Sequence, residues 1–256
     1  MERREQDERH CLAAALDSAQ WADEIVVVDC ASTDGTPDVV AAYTKARLFH
    51  RPNNPNLNVN KSFGFEQLTT DWVFYLDPDE RIPAELAREI RAVIADTPHN
   101  AFRLPRRNIF FGRFLAHGGQ YPDTQLRLFR RGKARFANKH VHESLDVDGT
   151  TGRLSEPFDH LPYPDLESYL RKMIFYTGFQ ANFWAESGMK PGMINTLRYF
   201  CLRPAGRFFR RYLLKRGFQD GWQGFVAAVG DAFQTIISYA RFLERQAGTP
   251  PANPAA

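Results

Sequence analysis

Residues 72–76 read Trp-Val-Phe-Tyr-Leu and run without a break into Asp77-Pro78-Asp79-Glu80. Consecutive large apolar side chains suit a strand buried on both faces, the character of strands in an α/β sheet. Open α/β sheets bind ligands beyond the carboxyl ends of their strands, so the acids stand where chemistry is expected. Asp77 and Asp79 are two residues apart, and a turn there lets both carboxylates share Mg2+ or Mn2+ with phosphate oxygens, because hard cations take oxygen ligands. The same pair also suits solvated turn acids or a helix cap.

The flanking sequence alternates in the same way. Residues 8–20 read as a helix, and Ile25 to Val28 as a short buried strand ending at Asp29. Residues 36–43 follow as a helix and Arg47 to Phe49 as a strand, giving an α/β opening. The segment PNNPNLNVN at 52–60 is too rich in Pro and Asn for a regular element and reads as a functional loop before a helix at Lys61 to Leu68. Pro83 opens a further helix. If the strands ending at Asp29 and Asp77 are parallel neighbours, both acids face one crevice.

After Ala101 the elements shorten: AFRLP, FFGRFLAHGGQYPD, LRLFR and HVHESLDV finish the sheet and build an acceptor site. Asp123 follows a flexible Gly-Gly and a rigid Pro, where a carboxylate can take a proton from a hydroxyl or cap the next element. His142 suits a metal ligand or a neutral core histidine, and His140 shares its face if the segment is extended. Lys61, Arg127, Arg130 and Arg131 can neutralise phosphate or remain surface charges. Helices are expected at 166–187 and 222–243, the second with a broad apolar face.

Charge and cysteine content narrow the class. Thirty-three Lys and Arg against thirty Asp and Glu give a net charge of +3, which does not point to nucleic acid. Cys11, Cys30 and Cys201 are too few and too scattered for a disulfide framework, which suits a reducing compartment. The first ten residues lack the apolar core of a secretory signal, so export is not expected. The stretch from Trp222 to Leu243 is interrupted by Gln223, Asp231, Gln234 and Arg241 and falls short of a membrane span. Between Arg198 and Arg216 seven basic residues and no acid interleave with Phe208, Phe209, Tyr212, Leu213 and Leu214, a pattern that fits an anionic membrane surface or a basic helix packed on the domain.

Trp21 to Asp29 (WADEIVVVD), Ser32-Thr33-Asp34-Gly35-Thr36 and Asp77-Pro78-Asp79-Glu80-Arg81 together resemble family 2 glycosyltransferases. Gly118-Gly119, Tyr121-Pro122-Asp123, the run from Gln125 to Gly132 and Val141-His142-Glu143 extend the resemblance toward bacterial lipopolysaccharide core glucosyltransferases, over roughly residues 5 to 240. The resemblance implies a GT-A-like, Rossmann-related mixed sheet flanked by helices, with a C-terminal helical extension. It implies an inverting, metal-dependent transfer of a sugar, glucose from a UDP-sugar, to a hydroxyl of the lipopolysaccharide core or another lipid-linked glycan. Asp123 then matches the catalytic base. Asp29, Asp34, Lys61, Asp77 and Arg127 fall to the nucleotide-sugar donor, and Asp77, Asp79 and His142 to the Mg2+ or Mn2+ ion.

The same resemblance implies work at the cytoplasmic face of the bacterial inner membrane, with peripheral attachment to its anionic surface. Residues 1–190 are expected to form the catalytic domain, 191–245 the basic and amphipathic extension, and 246–256 a loose tail. Family members normally open with an apolar strand that has no counterpart before residue 8, and the expectation is a misplaced or truncated start. The competing reading from another class is a catalytically inactive carbohydrate- or membrane-surface-binding protein.

Overall fold

Helix α1 (Glu2–Ala19) opens the computed structural model, which describes residues 2–33, 35–54, 56–136 and 144–248. Strand β1 (Ile25–Asp29), helix α2 (Thr36–Ala41) and strand β2 (Ala46–His50) follow, and β1 pairs with β2 in parallel from Ile25↔Ala46 to Asp29↔His50. Leu16, Ile25 and Val40 form their shared core, so this α/β opening is held by the apolar residues that predict it.

Helix α3 (Leu57–Gln67) begins inside the Pro- and Asn-rich stretch, earlier than its composition suggests. The Asn56 side chain accepts the backbone N–H of Asn58, so one asparagine of that stretch works as a helix cap. Strand β3 (Trp72–Phe74), the short strand β4 (Glu80–Arg81) and helix α4 (Ala84–Ala95, entered through Pro83) come next. The chain continues as β5 (Ala101–Phe110), β6 (Arg113–Phe114), β7 (Asp123–Arg130), β8 (Ala134–Arg135), β9 (Asp146–Val147), β10 (Thr151–Arg153) and β11 (Phe158–Tyr163).

The main sheet has the order β3-β7-β5-β11-β4, with β10 parallel to β5. Its two faces carry different cores. Leu86 and Ile90 of α4 pack with Phe102, Leu104, Leu128 and Phe158 on one side, while Val73, Ala101, Leu126 and Phe129 meet Phe65 of α3 on the other. The condition for a shared crevice, parallel neighbouring strands bearing Asp29 and Asp77, is not met among the described residues: β1 pairs with β2, and β3 pairs antiparallel with β7. The short β3, with its downstream acids, takes its ladder hydrogen bonds from a strand far along the chain.

One irregularity matters for the site. Phe102 pairs with Leu128 and Arg103 with Leu126, so β7 has one extra residue, Arg127, opposite that step. This β-bulge breaks the alternation of side chains, and bulges of this kind re-aim a side chain next to functional sites.

The fold divides into two units, residues 1–107 with 123–160, and residues 108–122 with 161–256. In the second, Phe111 and Gly112, both at positive φ (53° and 77°), make the two-residue turn that joins the end of β5 to β6. Helix α5 (Leu166–Glu186) is capped by Asp165 and packs on helix α8 (Gly221–Gln246). Between them lie helix α6 (Met193–Leu197), helix α7 (Arg203–Phe209), π-helical turns at Arg198–Leu202 and Arg210–Leu214, and a 3-10 turn at Gly217–Asp220. Trp184, Tyr199, Tyr239 and Phe242 form an aromatic cluster there. The apolar face expected on α8, from Trp222, Phe225, Val226, Val229 and Phe233 to Ile236, Ile237, Ala240 and Leu243, is not the buried side: Trp222, Phe225, Val229 and Phe233 are exposed, while Ala227, Tyr239 and Phe242 are buried. The basic run 198–216 belongs to this unit, where Arg207 and Arg211 both pair with Asp231.

The molecule is thus a mixed α/β protein, its sheet flanked by helices, with a helical C-terminal segment, as expected. No helix of the described residues is long and apolar enough to cross a membrane.

Candidate active site

The acidic centre of the first unit is assembled from several elements. Helix α3 brings Lys61, the loop after β3 brings Asp77 and Asp79, β4 brings Glu80, and β7 brings Asp123 and the bulged Arg127. Lys61 Nζ lies 2.7 Å from Asp77 Oδ1, and Arg127 Nη2 lies 3.1 Å from Asp77 Oδ2. Arg127 also pairs with Glu80, which is fully buried. Glu80 accepts the backbone N–H of Asp77 at 2.9 Å, so it pins the loop from inside.

The ion pairs continue to the predicted base. Arg106 of β5 stands 3.6 Å from Glu80 Oε1 and directs Nε and Nη2 to Asp123 Oδ2 at 2.9 and 2.6 Å. Arg106 and Asp123 are register partners across β5 and β7, which makes this a cross-strand charge pair. Gln125 Nε2 donates to the other oxygen of Asp123 at 2.8 Å. A continuous chain of charges therefore runs Lys61, Asp77, Arg127, Glu80, Arg106, Asp123.

Burial and partners set the protonation states. For Asp77, burial opposes ionisation, but Arg127 and Lys61 outweigh it and hold the carboxyl well below the usual range. For Glu80, burial dominates and pushes the carboxyl up to about 7, although Arg127 pulls the other way; neighbouring Asp77 adds to the rise. Burial likewise raises the Tyr75 phenol, whose ring lies 4.3 Å from the Arg127 guanidinium carbon. Arg127 keeps its charge because Glu80 and Asp77 overcome the cost of burying it.

Asp29 ends β1 in a second cluster. It is buried, accepts the Ser32 N–H at 3.1 Å and lies 3.0 Å from His50 Nδ1. Burial disfavours its charge, yet the hydrogen bonds from Ser32 and His50 prevail and lower its pKa. Ala31, at φ 63°, takes the left-handed conformation within this turn. Helix α3 spans from this cluster to the acidic loop: Asn60 donates to Cys30 Sγ and to the Pro52 carbonyl, while the next residue, Lys61, holds Asp77.

Asp34 and His142, two of the predicted site residues, lie outside the described residues. Asp79 is found 3.7 Å from His160 Nε2, a partner from β11 that the sequence did not single out. Arg130 lies over the Trp72 ring and Arg131 bonds the Thr70 carbonyl, so both are used in the fold. Glu80 and Arg106 are the members that sequence reasoning missed. Glu80 is visible as a third acid after a buried strand, but nothing in the local pattern marks Arg106, whose partners are 26 and 17 residues away.

Among the described residues no cluster of three or more His, Cys, Asp and Glu side chains is arranged to hold a metal. Asp77 and Asp79 are partly exposed carboxylates, oxygen donors of the kind a magnesium-type ion takes, with Lys61 and Arg127 on the two oxygens of Asp77 and His160 facing Asp79.

Comparison with known proteins places the chain in a family. The family described as Glycosyl transferase family 2 matches residues 4–161, which carry every member of the charge chain. The lipopolysaccharide core biosynthesis glycosyltransferase LpsC of Rhizobium meliloti (strain 1021) is 27% identical over 94% of this chain and 90% of its own length. An uncharacterized glycosyltransferase of Rickettsia bellii (strain RML369-C) is 29% identical over 87% of this chain and 76% of its own. Among solved structures, S. aureus TarS 1-349 in complex with UDP is similar at a TM-score of 0.47 and 12% identity, over 96% of this chain and 90% of that one. The chain belongs to glycosyl transferase family 2.

Proposed function

We propose that this glycosyltransferase moves a sugar, glucose from UDP-glucose, to a hydroxyl of a lipopolysaccharide core or other lipid-linked glycan, with inversion at the anomeric carbon. The observation that carries the reading is the unbroken charge chain from Lys61 through Asp77, Arg127, Glu80 and Arg106 to Asp123. It supplies fixed cations on one side and a carboxylate on the other, the two needs of a displacement that releases a diphosphate and frees a proton from the acceptor hydroxyl. The name of the Rhizobium relative favours a core glycan as acceptor.

In this reading the acceptor oxygen attacks the anomeric carbon opposite the diphosphate. The new carbon–oxygen bond forms as the bond to phosphate breaks, Asp123 takes the hydroxyl proton, and UDP leaves with the electron pair. Lys61 and Arg127 face the growing charge of the leaving diphosphate, and Asp29 holds the nucleoside. Asp77 and Asp79 would hold a divalent cation, whose chemistry is to neutralise diphosphate charge. The test is UDP release by the purified protein, with UDP-glucose against other UDP-sugars, in manganese and then in excess chelator. Turnover with UDP-glucose that collapses on chelation and returns with manganese is expected; a chelator-insensitive rate removes the metal from the reading, and turnover with no nucleotide sugar removes the reading.

The acceptor explains a second property of the chain. Apart from Leu57, the strongly exposed large apolar side chains of the described residues all lie in the second unit, among them Phe175, Phe179, Phe183, Met193, Ile194 and Leu214. Exposed arginines, including Arg198 and Arg210, accompany them. Apolar and basic groups together favour peripheral attachment at the anionic cytoplasmic face of the inner membrane, through an extension running from residue 191 to 245. Each basic residue near an anionic surface contributes about 1 kcal/mol, so Arg198→Gln with Arg210→Gln is expected to lower binding to phosphatidylglycerol vesicles roughly 30-fold. Vesicle sedimentation checks it; equal binding to neutral phosphatidylcholine vesicles contradicts it.

A further inference from the structure

We propose that Arg106 is a positioning residue for transfer, fixing one oxygen of Asp123 so that the other receives the acceptor proton. This rests on the reading of Asp123 as the base. Arg106 commits Nε and Nη2 to the same oxygen, Oδ2, at 2.9 and 2.6 Å. The opposite oxygen, Oδ1, accepts from the neutral amide of Gln125. Two donors of one guanidinium make Oδ2 the poorer proton acceptor, because they stabilise its negative charge, and they fix the plane in which Oδ1 is presented.

The guanidinium is itself held from behind. Its Nη1 is 3.6 Å from Glu80 Oε1, and Glu80 is fixed by Arg127 and by the Asp77 N–H. The register of β5 and β7 sets Arg106 directly opposite Asp123, so the base is aimed by sheet geometry and not by a loop. Arg106 from β5, Gln125 from β7 and, through Arg106, Glu80 from β4 are among the polar and charged groups that bear on Asp123. A lysine can carry the charge but not the two-nitrogen fork.

The sign of the pH effect follows from the charge. A guanidinium beside a carboxylate favours the ionised form and lowers the pKa; removing it raises the pKa. A base works only when ionised, so its loss moves the acidic limb of the kcat/KM profile to higher pH. For Arg106→Gln the limb is expected to rise by about 1 unit or more, with kcat lower by roughly 100-fold even on the alkaline plateau, since misaiming a reacting group by an ångström costs about that much. Arg106→Lys is expected to keep the limb close to its original pH while still losing kcat. Affinity for UDP alone, measured by calorimetry, is expected to stay within about three-fold, because Lys61 and Arg127 are untouched.

Arg106→Lys also keeps a cation beside buried Glu80, so it serves as the folded comparison if the glutamine variant is unstable. In an Asp123→Asn background, Arg106→Lys is expected to lower turnover no further, because residues acting as one unit are non-additive. Turnover of Arg106→Lys within two-fold of the parent, with an unchanged limb for the glutamine variant, overturns the proposal. If Asp123→Asn abolishes turnover while the Arg106 variants keep it, only the positioning role falls. If Asp123→Asn itself retains turnover, the base assignment falls and the positioning role with it.

Discussion

Asp123→Asn is expected to reduce turnover by roughly 10²- to 10⁴-fold, the range that a positioned general base contributes, while leaving UDP affinity within a few-fold. Asparagine preserves the size of the side chain and an oxygen for Arg106 or for Gln125, so the β5–β7 pairing survives. What it removes is the capacity to accept a proton. A steady-state assay of UDP release, with nucleotide binding measured separately, distinguishes this from a loss of donor. A variant that turns over within ten-fold of the parent places the base elsewhere.

Arg127→Met is expected to act on stability as well as on donor affinity. Arg127 is buried, and its removal leaves Glu80 fully buried without its nearest cation and Asp77 with Lys61 alone. Breaking a buried ion pair from one side costs about 3–5 kcal/mol, enough to lower the denaturation midpoint visibly in a denaturant titration. Glu80 sets the sign of the pH effect. Its folded pKa, already raised to about 7 against Arg127's pull, rises further when Arg127 is lost. A raised folded pKa adds stability that is fully present below the unfolded value, near 4.3, and disappears as pH climbs through the folded value. The variant is therefore expected to lose more stability at pH 8 than at pH 5. Equal losses at both pH values would show that Glu80 is not the group left uncompensated. Replacing Glu80 as well, by Gln, is expected to recover part of the loss, because the orphaned charge is then gone.

The sequence made the first half of the fold readable because local composition there decides the outcome. Ile25 to Val28 and Trp72 to Phe74 are continuous apolar runs that suit strands, and Pro83 marks the entry to α4. It misjudged the asparagine-rich stretch, where Asn56 caps a helix that composition argues against. The sequence leaves open whether Asp29 and Asp77 end neighbouring strands; pairing partners depend on which distant strand meets the exposed ladder, and β3 took β7.

The site was legible in its individual chemistry and hidden in its connections. Asp77 was identifiable as an acid after a strand, and Lys61 and Arg127 as cations able to neutralise phosphate, and the three meet. The bulge that turns Arg127 inward is a mismatch between β5 and β7, visible only when both strands are paired. Arg106 is missed for the same reason: its two carboxylates come from β4 and β7, one on either side of it in the chain. The split of α8 into a buried and an exposed apolar face likewise depends on how many of its sides α5 and α7 cover.

The stereochemistry of transfer tests the central claim most directly. Proton NMR of the product formed from UDP-glucose, an α-linked donor, and a core oligosaccharide acceptor reads the new anomeric coupling. A β-linked glucoside, as single displacement assisted by Asp123 requires, is the predicted result. An α-linked product would contradict it, since retention needs a second displacement and a role for this constellation other than general base catalysis.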